Sequence, residues 1–178
     1  MHSSPRPGRA AFSLIELMAV IVIIVILASL VVGGLGYASE RQAKEKCKVQ
    51  MALLSKAIEA YKLENGSYPA TVDGSNGTGG DQILFKALYY DGSSDTTKRI
   101  YLPELDPLTS KQGWTTGAVL ATTPITDPWG NPFRYRSATG KATDLTQNPD
   151  YDLWSMGKDG KTAPSLTDTT SLDDIRNF

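Results

Sequence analysis

An uninterrupted apolar segment near the N-terminus constrains this chain more than any other feature. Residues 17–35 are apolar or small, and no charged side chain occurs between Glu16 and Glu40. An α-helix rises about 1.5 Å per residue, so a helix over these residues would be roughly 29 Å long. That length matches the ~30 Å hydrocarbon core of a bilayer. The sequence therefore predicts a helix that spans a membrane.

Charged residues flank this segment unevenly. Glu16 lies directly at its start, Arg6 and Arg9 precede it, and no basic residue follows it until Arg41. An unpaired charge inside a bilayer costs at least about 2.5 kcal/mol, so we expect Glu16 to meet a partner there. By the positive-inside tendency, the N-terminus lies in the cytoplasm and the rest of the chain is exported.

The sequence Phe12-Ser13-Leu14-Ile15-Glu16 and the apolar run behind it resemble the signal of type IV pilins and pseudopilins. In that family a prepilin peptidase removes a short basic leader before a Phe and methylates the new amine. The apolar helix is kept, whereas an ordinary secretory signal is cut after its apolar stretch. The resemblance implies a leader of residues 1–11, cleavage between Ala11 and Phe12, and N-methylation of Phe12. Glu16 becomes the fifth mature residue, and the alternative cut after Gly8 would displace it.

Composition limits the functions open to the chain. It has 178 residues and a net charge of −1, which indicates one globular unit after the helix and no basic field for nucleic acid. The single histidine, His2, lies in the leader, and the single cysteine is Cys47. The mature chain thus lacks the commonest general base and cannot form an internal disulfide. We expect no enzyme, and the lack of a disulfide favours pseudopilins over type IV pilins.

Residues 40–64 have the pattern of an amphipathic helix. Apolar side chains recur at three- and four-residue steps, at Ala43, Cys47, Met51, Leu54, Ile58 and Tyr61. We expect this face to contact a core, with Cys47 as a buried structural thiol. Asn65-Gly66 ends the helix and Tyr68-Pro69 prevents its resumption, so the predicted helix covers residues 12–64.

Two short motifs resemble the major pseudopilin of type II secretion systems. One is Asn65-Gly66-Ser67-Tyr68-Pro69, directly after the helix, and the other is Asp127-Pro128-Trp129-Gly130-Asn131-Pro132. Pro and Gly in the second motif indicate a fold-stabilising turn, in which Trp129 can bury its ring against the helix.

Local patterns predict the remaining elements. Residues 82–90 are predicted as a short helix that Asp81 caps. Alternating residues in the runs 133–136 and 151–155 predict half-buried strands. We therefore expect a small antiparallel sheet packed on the long helix.

The C-terminal part resembles the calcium loop of type II major pseudopilins. Tyr151-Asp152-Leu153-Trp154-Ser155-Met156-Gly157-Lys158-Asp159-Gly160 and Asp173-Asp174-Ile175-Arg176-Asn177-Phe178 are the two segments concerned. The resemblance implies that Asp159 and Asp174 supply carboxylates and that carbonyls near Ser155 and Met156 are further ligands. Calcium takes six to eight oxygen ligands. Asp173 competes with Asp174 for the role, and a solvated acidic tail is the alternative.

Together these resemblances imply an α+β, pilin-like fold in three parts. They are a leader at 1–11, a transmembrane and polymerisation helix at 12–36, and a periplasmic domain at 37–178. That domain comprises the amphipathic helix 37–64, a variable region at 65–126, and the sheet with its C-terminal loop at 127–178.

The implied function is that of a structural subunit, which polymerises into a helical homopolymer in the periplasm and drives protein secretion. Glu16 would neutralise the Phe12 amine of a neighbouring copy and so set the register of an open helical filament. Further partners would be the prepilin peptidase, minor pseudopilins and the assembly platform of the bacterial inner membrane, which the chain crosses once. The alternatives are a type IV pilin or minor pseudopilin, serving adhesion, motility or DNA uptake, and a membrane-tethered periplasmic binding module.

Overall fold

The computed structural model describes residues 12–71, 76–89, 99–109, 113–115, 119–139, 146–163 and 168–178, with the backbone alone for residues 30–35. Its helices and strands are α1 over Leu14–Asn65, α2 over Gly80–Leu88, β1 over Arg134–Ser137, β2 over Tyr151–Ser155 and β3 over Ile175–Arg176. Single 3-10 turns occupy Pro103–Leu105 and Thr169–Ser171. The chain divides into two compact units, one ending at Arg41 and the other comprising Gln42–Phe178.

Helix α1 begins with a cap that Ser13 and Glu16 form together. The Ser13 backbone N–H donates to Glu16 Oε2 at 3.0 Å, and the Glu16 N–H donates to the Ser13 carbonyl at 3.1 Å. The Glu16 side chain, three residues after Ser13, thus satisfies a backbone donor that would otherwise lack a partner. The helix runs from Leu14 to Asn65, close to the predicted residues 12–64.

The first part of α1 carries exposed apolar side chains around its whole circumference. Phe12, just before the helix, is 82% exposed, and the large hydrophobic side chains from Leu14 to Leu27 are exposed as well. Considering only the described residues, no helix is long and apolar enough to cross a membrane. The predicted span of residues 17–35 includes residues 30–35, whose side chains lie outside that description.

The second part of α1 buries one apolar face in the core of its unit. Four of the predicted core residues are buried: Cys47, Met51, Leu54 and Ile58. The other two, Ala43 and Tyr61, are partly buried. The face packs with Phe85 of α2 and with Tyr135 and Leu153 of the sheet. Burying an aliphatic or aromatic side chain of this size contributes about 1.5–3 kcal/mol, so this contact holds the helix on the sheet.

The three strands pair antiparallel in the order β1-β2-β3. Strand β2 has the predicted bounds, but all 5 of its residues are buried rather than half of them. It is the central strand, so Leu153 faces the helix core while Trp154, on the opposite face, is covered by Arg136 and Phe178. Strand β1 begins one residue later than predicted, and β3 was not predicted as a strand.

The prediction that Asp81 caps the second helix is wrong. Helix α2 covers Gly80–Leu88, its N-cap is Gly79, and no side chain caps it. A Cβ atom on Gly80 would lie 2.2 Å from the carbonyl oxygen of Tyr135, so only glycine allows this approach of α2 to β1. The tertiary contact therefore starts the helix earlier than residues 82–90, and Asp81 becomes a buried residue of the first turn.

The Asp127-to-Pro132 motif forms the predicted turn. Asp127 Oδ1 accepts hydrogen bonds from the backbone N–H groups of Trp129, at 3.0 Å, and Asn131, at 2.9 Å. The Trp129 ring is partly buried against the core. The other carboxylate oxygen, Asp127 Oδ2, accepts from Ser155 Oγ at 2.6 Å, which joins the turn to the end of β2.

Candidate functional site

The N-terminal candidate site consists of Phe12 and Glu16, since Ala11 and the rest of the leader lie outside the described residues. Both side chains are exposed at the start of α1. Glu16 uses one oxygen, Oε2, to cap the helix, and its other oxygen has no partner among the described residues. The carboxylate can therefore hold its own helix end and still accept a cation from another molecule. The Ser-x-x-Glu spacing of a capping box was a signal for this local role that the sequence interpretation overlooked.

The C-terminal candidate site lies where the loop after β2 meets the segment before β3. Ser155 and Met156 are buried at the start of the loop. Ser155 Oγ donates to Asp127 and accepts the N–H of Gly157 at 3.1 Å. Asn131 Nδ2 donates to the Gly157 carbonyl at 2.7 Å. Side chains of the turn and of the strand thus fix the loop on one side.

Asp173 fixes the same loop from the other side. Its Oδ2 accepts the backbone N–H groups of Lys158, at 2.8 Å, and Asp159, at 3.1 Å. Gly157 has φ 62°, and a Cβ atom there would lie 2.5 Å from that oxygen. Glycine is therefore required both for the positive φ and for the close approach. Asp173 stabilises the loop as an acceptor for backbone donors.

Asp174 has a different environment from its neighbour. Its side chain is 0% exposed, and Oδ2 accepts from Thr162 Oγ1 and Arg176 Nη2, each at 2.8 Å. Burial raises the pKa of the Asp174 carboxyl, while the hydrogen bonds from Arg176 and Thr162 act in the opposite direction. Its Oδ1 is buried without a hydrogen-bond partner among the described residues. Buried carboxylate oxygens are usually paired, so this oxygen is the open position of the site within the described part of the chain.

Asp159, the remaining acidic residue of the predicted calcium site, is exposed. Its Oδ1 accepts the Lys161 N–H at 2.8 Å, which closes a local turn. Within the described ranges, no group of three or more His, Cys, Asp or Glu side chains is arranged to hold a metal ion. A cation here would need backbone carbonyls or water besides the carboxylates. The orphaned Asp174 oxygen fits a hard cation, and the adjacent Arg176 guanidinium opposes one.

Sequence reasoning missed Thr162 and Arg176, which are the partners of Asp174 among the described residues. Thr162 bridges the site, because its Oγ1 also accepts from Trp154 Nε1 at 3.2 Å. Arg176 follows Asp174 by two positions, a spacing that puts both side chains on one side of an extended chain. That spacing was the available signal, and it was not used because no strand was predicted there.

The buried thiol of Cys47 matches its prediction. The side chain is 0% exposed, and burial raises its pKa to about 11, with the Ser155 hydroxyl acting in the opposite direction. A thiol with so high a pKa is protonated at neutral pH and is a poor nucleophile. Cys47 is a core residue.

These features define the class of protein. The structure has the pilin-like α+β fold that the sequence predicted, a long N-terminal helix packed by its second part on a small antiparallel sheet. Residues 101–173 match the family described as type II secretion system (T2SS), protein G. Residues 6–32 match the prokaryotic N-terminal methylation motif.

Full-length relatives agree with this match. Type II secretion system core protein G of Pseudomonas aeruginosa is 32% identical over 173 residues, 97% of each chain. The protein of the same name from Aeromonas hydrophila is 32% identical over 170 residues, 96% of this chain and 92% of the relative. That of Escherichia coli is 32% identical over 170 residues, 94% of this chain and 89% of the relative. The chain belongs to the type II secretion system protein G family, which confirms the predicted resemblance to the major pseudopilin and favours it over the alternatives.

Proposed function

We propose that this protein is a structural, non-catalytic subunit that polymerises into the periplasmic filament of a type II secretion system. The single observation that carries the proposal is the exposed Glu16 carboxylate at the head of an apolar helix, with one oxygen that has no partner among residues 12–178 as described. Once the leader is removed, the Phe12 amine of a neighbouring copy can meet that oxygen. An ion pair of this kind is favoured where water is scarce and an unpaired charge is costly.

Cleavage between Ala11 and Phe12 by a prepilin peptidase, with methylation of the new amine, is part of the proposal. The match to the N-terminal methylation motif at residues 6–32 supports it. N-terminal sequencing and intact mass of the protein from cells test it directly. We expect a methylated Phe12 at the N-terminus, and a chain that still begins at Met1 would contradict the proposal.

We also propose that the apolar part of the helix anchors the subunit in the bacterial inner membrane, with residues 37–178 in the periplasm. The apolar run, Arg6 and Arg9 before it, and the exposed side chains of Leu14 to Leu27 support this orientation. Minor pseudopilins and the assembly platform would be its partners there. Protease added outside the inner membrane should digest the C-terminal domain, and a fully protected domain would contradict the orientation.

The structure makes a sharp test of the Glu16 role possible. Glu16→Gln keeps an oxygen that can accept the Ser13 N–H, so the cap remains while the charge is lost. Glu16→Ala loses both, and loss of a cap costs about 0.5–2 kcal/mol. Glu45→Ala is the matched control, because Glu45 is an exposed acid of the same helix whose pair with Lys48 is on the surface.

We expect all three variants to insert in the membrane. Filaments isolated from the periplasm should be strongly reduced for both Glu16 variants and unchanged for Glu45→Ala. Normal filaments from Glu16→Gln would show that the charge is unnecessary and would leave Glu16 only its capping role.

Calcium at the C-terminal loop is the last part of the proposal. Asp174 and Asp159 would hold it with their carboxylates, together with carbonyls near Ser155 and Met156, while Oδ2 of the competing candidate Asp173 accepts two loop amides. The orphaned Asp174 oxygen supports this assignment. Calcium would neutralise a buried carboxylate and join the loop to the C-terminal segment. A chelator should lower the unfolding temperature, and an unchanged temperature would contradict the site.

A further inference from the structure

The two oxygens of Asp174 are in opposite situations. Oδ2 has two partners, and Oδ1 has none among the described residues. The carboxylate is fully buried, and burying a charge is costly unless a partner of opposite charge is close. Arg176 is the cation that contacts it, at 2.8 Å.

Arg176 is held in place by more than this ion pair. The same Nη2 also donates to the Ser171 carbonyl at 2.8 Å, and the guanidinium lies 5.7 Å from the centre of the Phe178 ring. Arg176 lies opposite Trp154 in the β2–β3 ladder. The guanidinium is therefore positioned by the strand, by a carbonyl and by a ring, and its side chain is only 14% exposed.

A second buried pair in the same sheet shows what a purely structural arrangement looks like. Arg136 Nε donates to Asp152 Oδ2 at 2.7 Å, with the Asp152 side chain 0% exposed. The backbone N–H groups of Gln147 and Asn148 donate to Asp152 Oδ2 and Oδ1, each at 2.8 Å. Both oxygens of Asp152 are satisfied, whereas Oδ1 of Asp174 has no partner in the part of the chain that the structure describes.

We infer that Arg176 is an internal cation that competes with calcium for Asp174 and thereby sets the calcium affinity of the C-terminal loop. The ion pair neutralises Asp174 when no calcium is bound, so the loop holds together without metal. A calcium ion approaching Oδ1 meets the repulsion of the guanidinium on the other oxygen, which weakens its binding. Arg176 is thus a positioning residue that tunes a cation site. This inference rests on the calcium site proposed above.

The test is calorimetric titration of the full chain in a non-ionic detergent with calcium chloride. Arg176→Gln removes the competing charge, Arg176→Lys retains a charge, and Arg136→Gln removes the matched arginine from the other pair. We expect Arg176→Gln to bind calcium at least tenfold more tightly, about 1.4 kcal/mol, and the other two variants to stay within about threefold of the wild type.

Thermal unfolding with and without chelator supplies a second readout. In chelator, Arg176→Gln should unfold at a lower temperature than the wild type, since Asp174 has lost its cation. Added calcium should restore more stability to this variant than to the wild type. Arg136→Gln should be destabilised equally in both conditions. If Arg176→Gln folds only with calcium, that too supports the inference.

The outcomes separate this inference from the calcium proposal itself. Calcium binding of equal or lower affinity in Arg176→Gln would overturn the competition and leave the calcium site intact. An Arg176→Gln chain that stays unfolded even in calcium would overturn it too, because calcium should replace the guanidinium. No calcium binding by any variant would overturn both.

Discussion

The pairs Asp152–Arg136 and Asp174–Arg176 are alike in composition and different in construction. In each, a fully buried carboxylate meets a nearly buried guanidinium on the same face of the sheet. Backbone amides complete the shell of Asp152, whereas the described partners of Asp174 are the side chains of Thr162 and Arg176. Backbone donors fixed by the fold help satisfy both oxygens of Asp152, whereas Oδ1 of Asp174 has no partner among the described residues. The first pair is complete, and the second leaves an oxygen at which we propose that calcium binds.

Truncation of Asp152 should have the largest effect. Asp152→Ala leaves Arg136 nearly buried without its partner and removes the acceptor for two backbone amides. Breaking a buried ion pair on one side costs about 3–5 kcal/mol. We expect a loss of that size in urea unfolding, independent of calcium. A loss that depends on calcium would mean that the two pairs are not separate in function.

Truncation of Asp174 should cost less and should change the response to calcium. In chelator, Asp174→Ala also removes an unsatisfied buried oxygen, which partly offsets the lost hydrogen bonds. We expect a loss of about 1–3 kcal/mol in urea unfolding. The stabilisation by calcium should disappear in this variant and persist in Asp152→Ala. Equal stabilisation by calcium in both variants would contradict the distinction between Asp174 and Asp152.

Much of the fold could be predicted because it depends on local patterns. The helical period of apolar residues placed Cys47 and Leu54 in the core, and the alternation of residues 151–155 located the central strand. Asp81 was assigned wrongly because the contact of Gly80 with Tyr135, which sets the start of α2, joins distant parts of the chain. Strand β3 has 2 residues, too few for a period to be recognised.

The two segments of the proposed calcium site meet in the structure, but the sequence could not rank their carboxylates. Asp173 and Asp174 are adjacent and chemically identical, so no local pattern ranks them. Their environments differ because the loop at Gly157 presents its amides to Asp173, whereas an oxygen of Asp174 is buried without a partner among the described residues. Arg176 gains its role from the pairing of β3 with β2, which is also a tertiary feature.

Substitution of Asp173 tests whether Asp173 and its neighbour Asp174 contribute differently to calcium binding. Asp173→Asn keeps one acceptor oxygen for the Lys158 and Asp159 amides and removes the charge. We expect a loss of stability of about 1–2 kcal/mol, because hydrogen bonds to a charged acceptor become neutral ones. Calcium affinity should fall far less than in Asp174→Asn. Calorimetric titration of both variants checks this. A larger fall in calcium affinity for Asp173→Asn would mean that Asp173, rather than Asp174, is the main carboxylate ligand.

Thr162 gives the smallest and most local test of the comparison. Its hydroxyl donates to Asp174 Oδ2 and accepts from Trp154 Nε1, so Thr162 is an uncharged side-chain partner of Asp174. Thr162→Val keeps the shape and removes both bonds, with an expected loss of about 1 kcal/mol in urea unfolding. Thr162→Ser, which keeps the hydroxyl, is the matched control and should lose less. If Thr162→Val is as stable as the wild type, the Thr162 hydroxyl does not contribute to holding Asp174. The ion pair with Arg176 would then be the contact that stabilises Asp174 in this part of the structure.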